Sequence, residues 1–203
     1  MYSFNEVLGI SADGFKAKRA IMIANQTTTA AARERLFFAL WPDPATRAAL
    51  EGLQSAVSGV VMPPAKLHLT MAFLGQRPQA EWGALQALLA ALPAAAPTLE
   101  LDCWGYFSGQ RIAWAGMRAP PPALLALRAE LMRALAAARL APAFEHDRFR
   151  PHVTLARKAD AAPLAPFAPI RWHAGQLVLA ASPAAGGGYR VLATRRLAPD
   201  RDD

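Results

Sequence analysis

Two stretches of this chain carry the same polar pair inside an apolar run. "KLHLTMAFLG" (66–75) holds His68 and Thr70, and "RPHVTLAR" (150–157) holds His152 and Thr154. In a strand, alternate residues share a face, so each histidine stands beside its threonine while Leu67, Leu69 and Met71 point the other way. One such histidine reads as a hydrogen-bonded core residue. Two at matching places read differently, because a buried imidazole or hydroxyl without a partner costs on the order of 1–3 kcal/mol. Packing alone does not call for that cost twice.

In-line displacement at phosphorus needs two such groups. The attacking and leaving oxygens lie on opposite sides of the atom, so a base must take a proton on one side and an acid give one on the other. Histidine, with an unperturbed pKa of about 6.5, serves as either near neutrality. The two threonine hydroxyls are then placed to donate hydrogen bonds to the non-bridging phosphate oxygens.

The elements around the motifs repeat. "RLFFALW" (35–41) reads as a strand, Pro44 opens a helix over 45–58, and a second strand follows at 66–74. The same order recurs as "RIAWAGM", prolines, a long amphipathic helix from "PPALLALRAELMRALAAARL", and "RPHVTLA". Two strand–helix–strand units, each ending in His-x-Thr, predict pseudo-twofold lobes that face one another. A further helix fits 80–92. "LELDCWGYF" and "RIAWAGM" read as a strand pair, and "IRWHAGQLVLAAS" with "YRVLATRRL" as a terminal hairpin. Residues 1–33 are polar and aperiodic and read as an extension, leaving 34–199 as the working domain.

Composition narrows the setting. The 203 residues suit one domain or two small lobes, and the net charge of +7 favours anionic partners such as nucleic acid. A GC-rich genome, writing Arg for Lys, accounts equally well for the arginine bias. Cys103 is the single cysteine, which leaves no intramolecular disulfide or thiolate zinc cluster and fits a reducing cytoplasm. No apolar run approaches the ~20 residues of a membrane span.

"HLTM" and "HVTL", set in "RLFFALWP", "KLHLTMAFLG", "FRPHVTLAR" and a glycine-rich terminal hairpin, resemble the two-histidine phosphoesterase superfamily. The likeness is to its bacterial and archaeal RNA 2′,3′-cyclic phosphodiesterase branch, first named for 2′-5′ RNA ligation, and runs from about Arg35 to Leu197. It implies an α+β, bilobal, duplicated fold with two antiparallel sheets facing a central cleft and helices outside. It implies hydrolysis of RNA 2′,3′-cyclic phosphate ends or cyclic nucleotides to 2′-phosphomonoesters, by a monomer using no metal or cofactor. Some members also join tRNA halves through a 2′-5′ linkage. By position, His68 matches the general acid for the 3′-oxygen, His152 the base that activates water, and Thr70 and Thr154 the phosphate ligands. Arg157, five residues after His152, matches a basic residue near the phosphate.

Other residues have two readings each. Phe73, five residues after His68, is placed either to stack on a terminal base or to pack in the core. Arg150 either faces the cleft or bridges locally. Trp104, Tyr106, Phe107 and Trp114 read as core and lobe-interface residues, and His146 and His173 as solvent-facing or structural. Two rival functions stand beside the hydrolase. A non-catalytic RNA- or nucleotide-binding module would be marked by loss of one histidine, whereas both are present. A metal-dependent hydrolase lacks support: there is no His-x₃-His spacing and no Asp or Glu inside either motif.

Overall fold

A computed structural model describes residues 33–142, 149–182 and 187–199. The segment read as an extension lies outside these, except that its last residue, Arg33, begins the first strand, β1 (Arg33–Leu40). Helix α1 (Pro44–Leu53) follows the "PDP" turn: Asp43 caps it, its carboxylate accepting from the Thr46 amide at 2.9 Å and the Thr46 hydroxyl at 2.7 Å. The helix is shorter than the expected 45–58, ending at Leu53 in a 3₁₀ turn over Gln54–Ala56. Strands β2 (Val60–Val61) and β3 (Leu69–Pro78) come next, then α2 (Trp82–Ala91). His68 is thus the residue just before β3 rather than within a strand over 66–74.

The chain continues through β4 (Ala95–Ala96), β5 (Thr98–Leu101), β6 (Cys103–Phe107), β7 (Ile112–Gly116) and α3 (Pro122–Ala137). It finishes with β8 (His152–Arg157), β9 (Ile170–His173), β10 (Gln176–Ser182), β11 (Arg190–Arg196) and β12 (Ala198–Pro199). Two runs read as single strands are each broken in two. "LELDCWGYF" splits at Asp102, whose amide donates to Gly116 and whose carboxylate accepts from the Arg118 amide. "IRWHAGQLVLAAS" splits at Ala174–Gly175, where Ala174 donates out of the strand to Pro97. The released halves, β5 and β9, pair with each other in a small antiparallel sheet.

The main sheet runs β11-β10-β1-β3-β8-β7-β6, with β2 on β8. All its ladders are antiparallel, and its halves meet through one registered pair, Leu69↔Val153. Each half holds the two main strands of one repeat, β1 and β3 in one and β7 and β8 in the other. Each is crossed by a helix from the other: α1, from the first repeat, packs on β8 and β9, and α3, from the second, on β3 and β5. The helices cover one face with a continuous core that takes Leu36, Phe38 and Leu40 from β1, Leu69 and Met71 from β3, and Val153 and Leu155 from β8. The opposite face carries Phe37, Ala39, Val178 and Ala180. Period-two alternation therefore directs His68 and His152 away from the helices. Among the described residues no helix is long and apolar enough to cross a membrane.

Candidate active site

Each histidine is oriented by the backbone two residues before it. His68 Nδ1 lies 2.7 Å from the Lys66 carbonyl, and His152 Nδ1 lies 2.7 Å from the Arg150 carbonyl. A carbonyl only accepts, so Nδ1 is the donor in both rings and carries the proton of the neutral form. Nε2 is left to the open face in both, as acceptor when neutral and donor when charged. Two residues on, Thr70 and Thr154 share that face, and neither hydroxyl bonds within the protein among the described residues.

The repeats match down to an irregularity in the ladder. On β1 and β3 the register passes from Phe38↔Ala72 to Ala39↔Thr70, leaving Met71 as the extra residue. On β7 and β8 it passes from Ala113↔Ala156 to Trp114↔Thr154, leaving Leu155 as the extra residue. A bulge therefore follows each threonine. In β8 the Leu155 carbonyl accepts from the Met62 amide at 2.8 Å and from Gln54 Nε2 at 3.0 Å. The bulge has a geometric consequence. Five residues is an odd number, so an unbroken strand would turn Phe73 and Arg157 toward the core. One extra residue returns both to the histidine face. Phe73, 44% exposed, then sits opposite Phe37, and exposed Arg157 opposite Ile112. Arg150 is exposed too, and its contribution here is the carbonyl that orients His152.

Aromatic rings flank both imidazoles. Around His68 stand Phe37 (centroids 5.0 Å apart), Tyr189 (5.1 Å, edge-on) and Trp41 (5.8 Å, stacked at 14°). Around His152 stand Phe107 (5.0 Å, edge-on) and Trp114 (5.6 Å). The reading of Phe107 and Trp114 as core residues is corrected here: both lie against His152. Trp104 and Tyr106 do play the structural part, donating to the Ala165 and Ala159 carbonyls. The aromatic neighbours differ between lobes. By register Gly116 stands beside His152 where Trp41 stands beside His68, and Trp114 stands opposite Thr154 where Ala39 stands opposite Thr70. A Cβ on Gly116 would fall 2.5 Å from Trp114 Cζ3, and one on Gly105 1.9 Å from Trp114 Cζ2. Two glycines thus make room for the indole against His152.

The sequence alone does not single out Phe37, Trp41 and Tyr189. "LFFALW" is apolar at every position, so its composition does not say which residues face the helices. The ladder partners of Thr70 and His68 decide it. His173 lies outside this site, on β9 with Nδ1 2.9 Å from Thr98 Oγ1, and His146 lies outside the described residues.

Burial pushes the His68 imidazole down to about 4, with the charges of His152 and Arg157 adding to the depression and the Lys66 carbonyl opposing it. Burial lowers His152 as well, against its Arg150 carbonyl. Burial raises the Tyr189 phenol, which Arg157 opposes. One guanidinium therefore acts on His68 and Tyr189 across the two halves. Among the described residues the assembled groups are two imidazoles with unbonded Nε2 atoms, two unbonded hydroxyls and a cation, a set able to hold a phosphate and move a proton on either side of it.

Residues 41–181 match the 2′-5′ RNA ligase superfamily. The RNA 2′,3′-cyclic phosphodiesterase of Escherichia coli (strain K12) is 36% identical over 135 residues, 65% of this chain and 75% of that protein. The crystal structure of E. coli LigT in apo form superposes with a TM-score of 0.69 at 29% identity, covering 81% of this chain and 98% of LigT. LigT has also been solved complexed with phosphate and with 3′-AMP. TT0787 of Thermus thermophilus matches with a TM-score of 0.68 at 31% identity, covering 82% of this chain and all of that one.

Proposed function

The chain belongs to the 2′-5′ RNA ligase superfamily, and from that membership we propose that it is an RNA 2′,3′-cyclic phosphodiesterase working by two-histidine acid–base catalysis. The observation that carries the reading is the matched pair of imidazoles: each is fixed by an i−2 carbonyl through Nδ1, and each presents Nε2 beside a free threonine hydroxyl. Nothing in packing asks for that arrangement twice.

Water attacks phosphorus opposite the 3′-oxygen while His152 Nε2 takes its proton. The P–O3′ bond breaks, and His68 Nε2–H gives its proton to the departing 3′-oxygen. The products are a 2′-phosphomonoester and a free 3′-hydroxyl, with the two histidines left in exchanged protonation states that solvent resets. Thr70 and Thr154 donate to the non-bridging oxygens, and Arg157 offsets their charge. An RNA 5′-hydroxyl in place of water would give a 2′-5′ linkage with the same pair in the same roles.

The working state has His68 charged and His152 neutral. Burial makes that the minor arrangement before substrate binds, since His68 is the imidazole driven to about 4. The bound phosphate anion supplies the attraction that populates it. Incubating the protein with a short RNA ending in a 2′,3′-cyclic phosphate and mapping the product phosphate tests the reading. A 2′-phosphate end is the expected product. A folded protein that binds the RNA end without turnover would overturn it in favour of a binding module.

A further inference from the structure

The face that carries His68 continues across three more strands. Trp41 stacks on His68, the Trp41 amide donates to the Gln176 carbonyl at 2.9 Å, and Gln176 pairs with Arg196 in the β10–β11 ladder. Alternation keeps these residues on one side. Phe37, Ala39, Val178 and Ala180 form that face, while Leu36, Phe38, Leu40, Leu177 and Leu179 line the helix-covered core. His68, Trp41, Gln176 and Arg196 therefore make a row across the end of the sheet. At ~4.8 Å per strand, it spans about 14 Å.

The far end of that row opens into a cavity of about 300 Å³ lined by Trp41, Asp43, His173, Gln176 and Arg196, with Gly175 and Leu197. Some of these groups are already committed. Both Asp43 carboxylate oxygens hold Thr46, and His173 Nδ1 meets Thr98. The Arg196 guanidinium and the Gln176 side-chain amide have no protein partner among the described residues, and Arg196 is exposed. Beside the Asp43 carboxylate, which keeps its charge while accepting from Thr46, the cavity offers a cation, an amide and an indole that it shares with the catalytic histidine. A guanidinium matches a phosphodiester, an indole takes the face of any base, and an amide reaches a base edge.

We propose that this cavity is a second nucleotide subsite, holding the nucleotide on the 5′ side of the one that bears the cyclic phosphate. Its base lies against Trp41 and its phosphodiester on Arg196. The proposal rests on the function argued above: with the cyclic phosphate at the 3′ terminus between the histidines, the rest of the strand extends in the 5′ direction. The row from His68 to Arg196 gives it a track.

The test compares a 2′,3′-cyclic mononucleotide with di-, tri- and tetranucleotides that end in the same cyclic phosphate. In the wild-type protein kcat/KM is expected to rise at least ~10-fold with length, as expected for about 1.4 kcal/mol of added contact. In Arg196→Ala the ratio of tetranucleotide to mononucleotide kcat/KM should fall by about 10-fold, mostly through KM. Arg196→Lys should retain part of it. The salt dependence for the tetranucleotide should flatten by roughly 0.7 in log–log slope, the share of one single-strand phosphate contact. Trp41 is left intact because it also touches His68. A wild-type protein that hydrolyses all lengths equally, or an Arg196→Ala ratio equal to wild type, overturns the subsite while leaving the function standing. Failure to hydrolyse any length removes the function, and the subsite with it.

Discussion

Phe73 and Arg157 occupy the same place in the two repeats, each five residues beyond its histidine and each returned to the site face by a bulge. The pseudo-twofold is broken there, with an aromatic ring in one half and a guanidinium in the other. Arg157→Ala is expected to lower kcat/KM by roughly 10²-fold, the worth of one group that stabilises developing charge. Arg157→Lys should recover only part of this, because it keeps the charge and loses the planar fork. Phe73→Ala should act differently, raising KM about 10-fold through lost base stacking with kcat retained. Steady-state kinetics on one cyclic-phosphate oligonucleotide separates the two, and a kcat defect in Phe73→Ala would place that ring in the chemistry.

The paired histidine motifs were more legible in the sequence than the strand ends around them. His68, Thr70, His152 and Thr154 stand out because a costly polar pair recurs at matching points of a repeat, and both histidines lie on one face as alternation requires. The strand ends were harder. "LELDCWGYF" contains no proline or glycine before Gly105, and Asp102, of a type disfavoured in strands, is the one local mark of the point where the chain changes sheets. The break is set by partners distant in sequence, Gly116 and Arg118. The aromatic neighbours of the histidines were hidden for a related reason. In a uniformly apolar strand, the face of Phe37 or Trp41 follows from ladder register. In the second repeat a glycine replaces the tryptophan beside the histidine, and Trp114 moves to the threonine's partner position.

That exchange can be tested at Gly105. A methyl there would lie 1.9 Å from Trp114 Cζ2, and the indole that must move lies against His152. Gly105→Ala is expected to cost about 1–3 kcal/mol from overpacking and to reduce kcat as His152 loses its neighbour's support. Trp114→Phe shortens the offending ring. The double variant should therefore be less impaired than the sum of the singles, a coupling read from urea midpoints and kcat together. Strict additivity would mean that the indole and the glycine do not share this space.

Acid should weaken the fold through the same histidines. The unfolded His68 titrates near 6.5 and the folded one near 4. Between those values the unfolded chain binds a proton that the folded chain does not, so unfolding free energy rises with pH there and is lost as pH falls. The loss from His68 alone amounts to about 3 kcal/mol, and His152 is shifted in the same direction. Urea unfolding at pH 7 and near pH 4 should show a smaller acid loss for His68→Gln than for wild type. An equal loss would mean that His68 is no less basic in the fold than in the open chain.

His68→Ala and His152→Ala should each cut cyclic-phosphate hydrolysis by roughly 10²–10⁴-fold, with the double variant far short of the product because acid and base act as a unit. kcat/KM should trace a bell against pH whose limbs belong to the coupled pair. Burial lowers both imidazoles, so the maximum should fall below about 6.5. Arg157→Ala, which removes a cation that depresses His68, should shift it upward. Replacing the 3′-leaving oxygen by sulfur then assigns the roles. A thiolate departs without a proton, so the acid becomes dispensable while the base does not. Rescue of His68→Ala but not His152→Ala is the expected result. Rescue of His152→Ala alone would exchange the two roles, in keeping with burial that already disfavours the charge on His68.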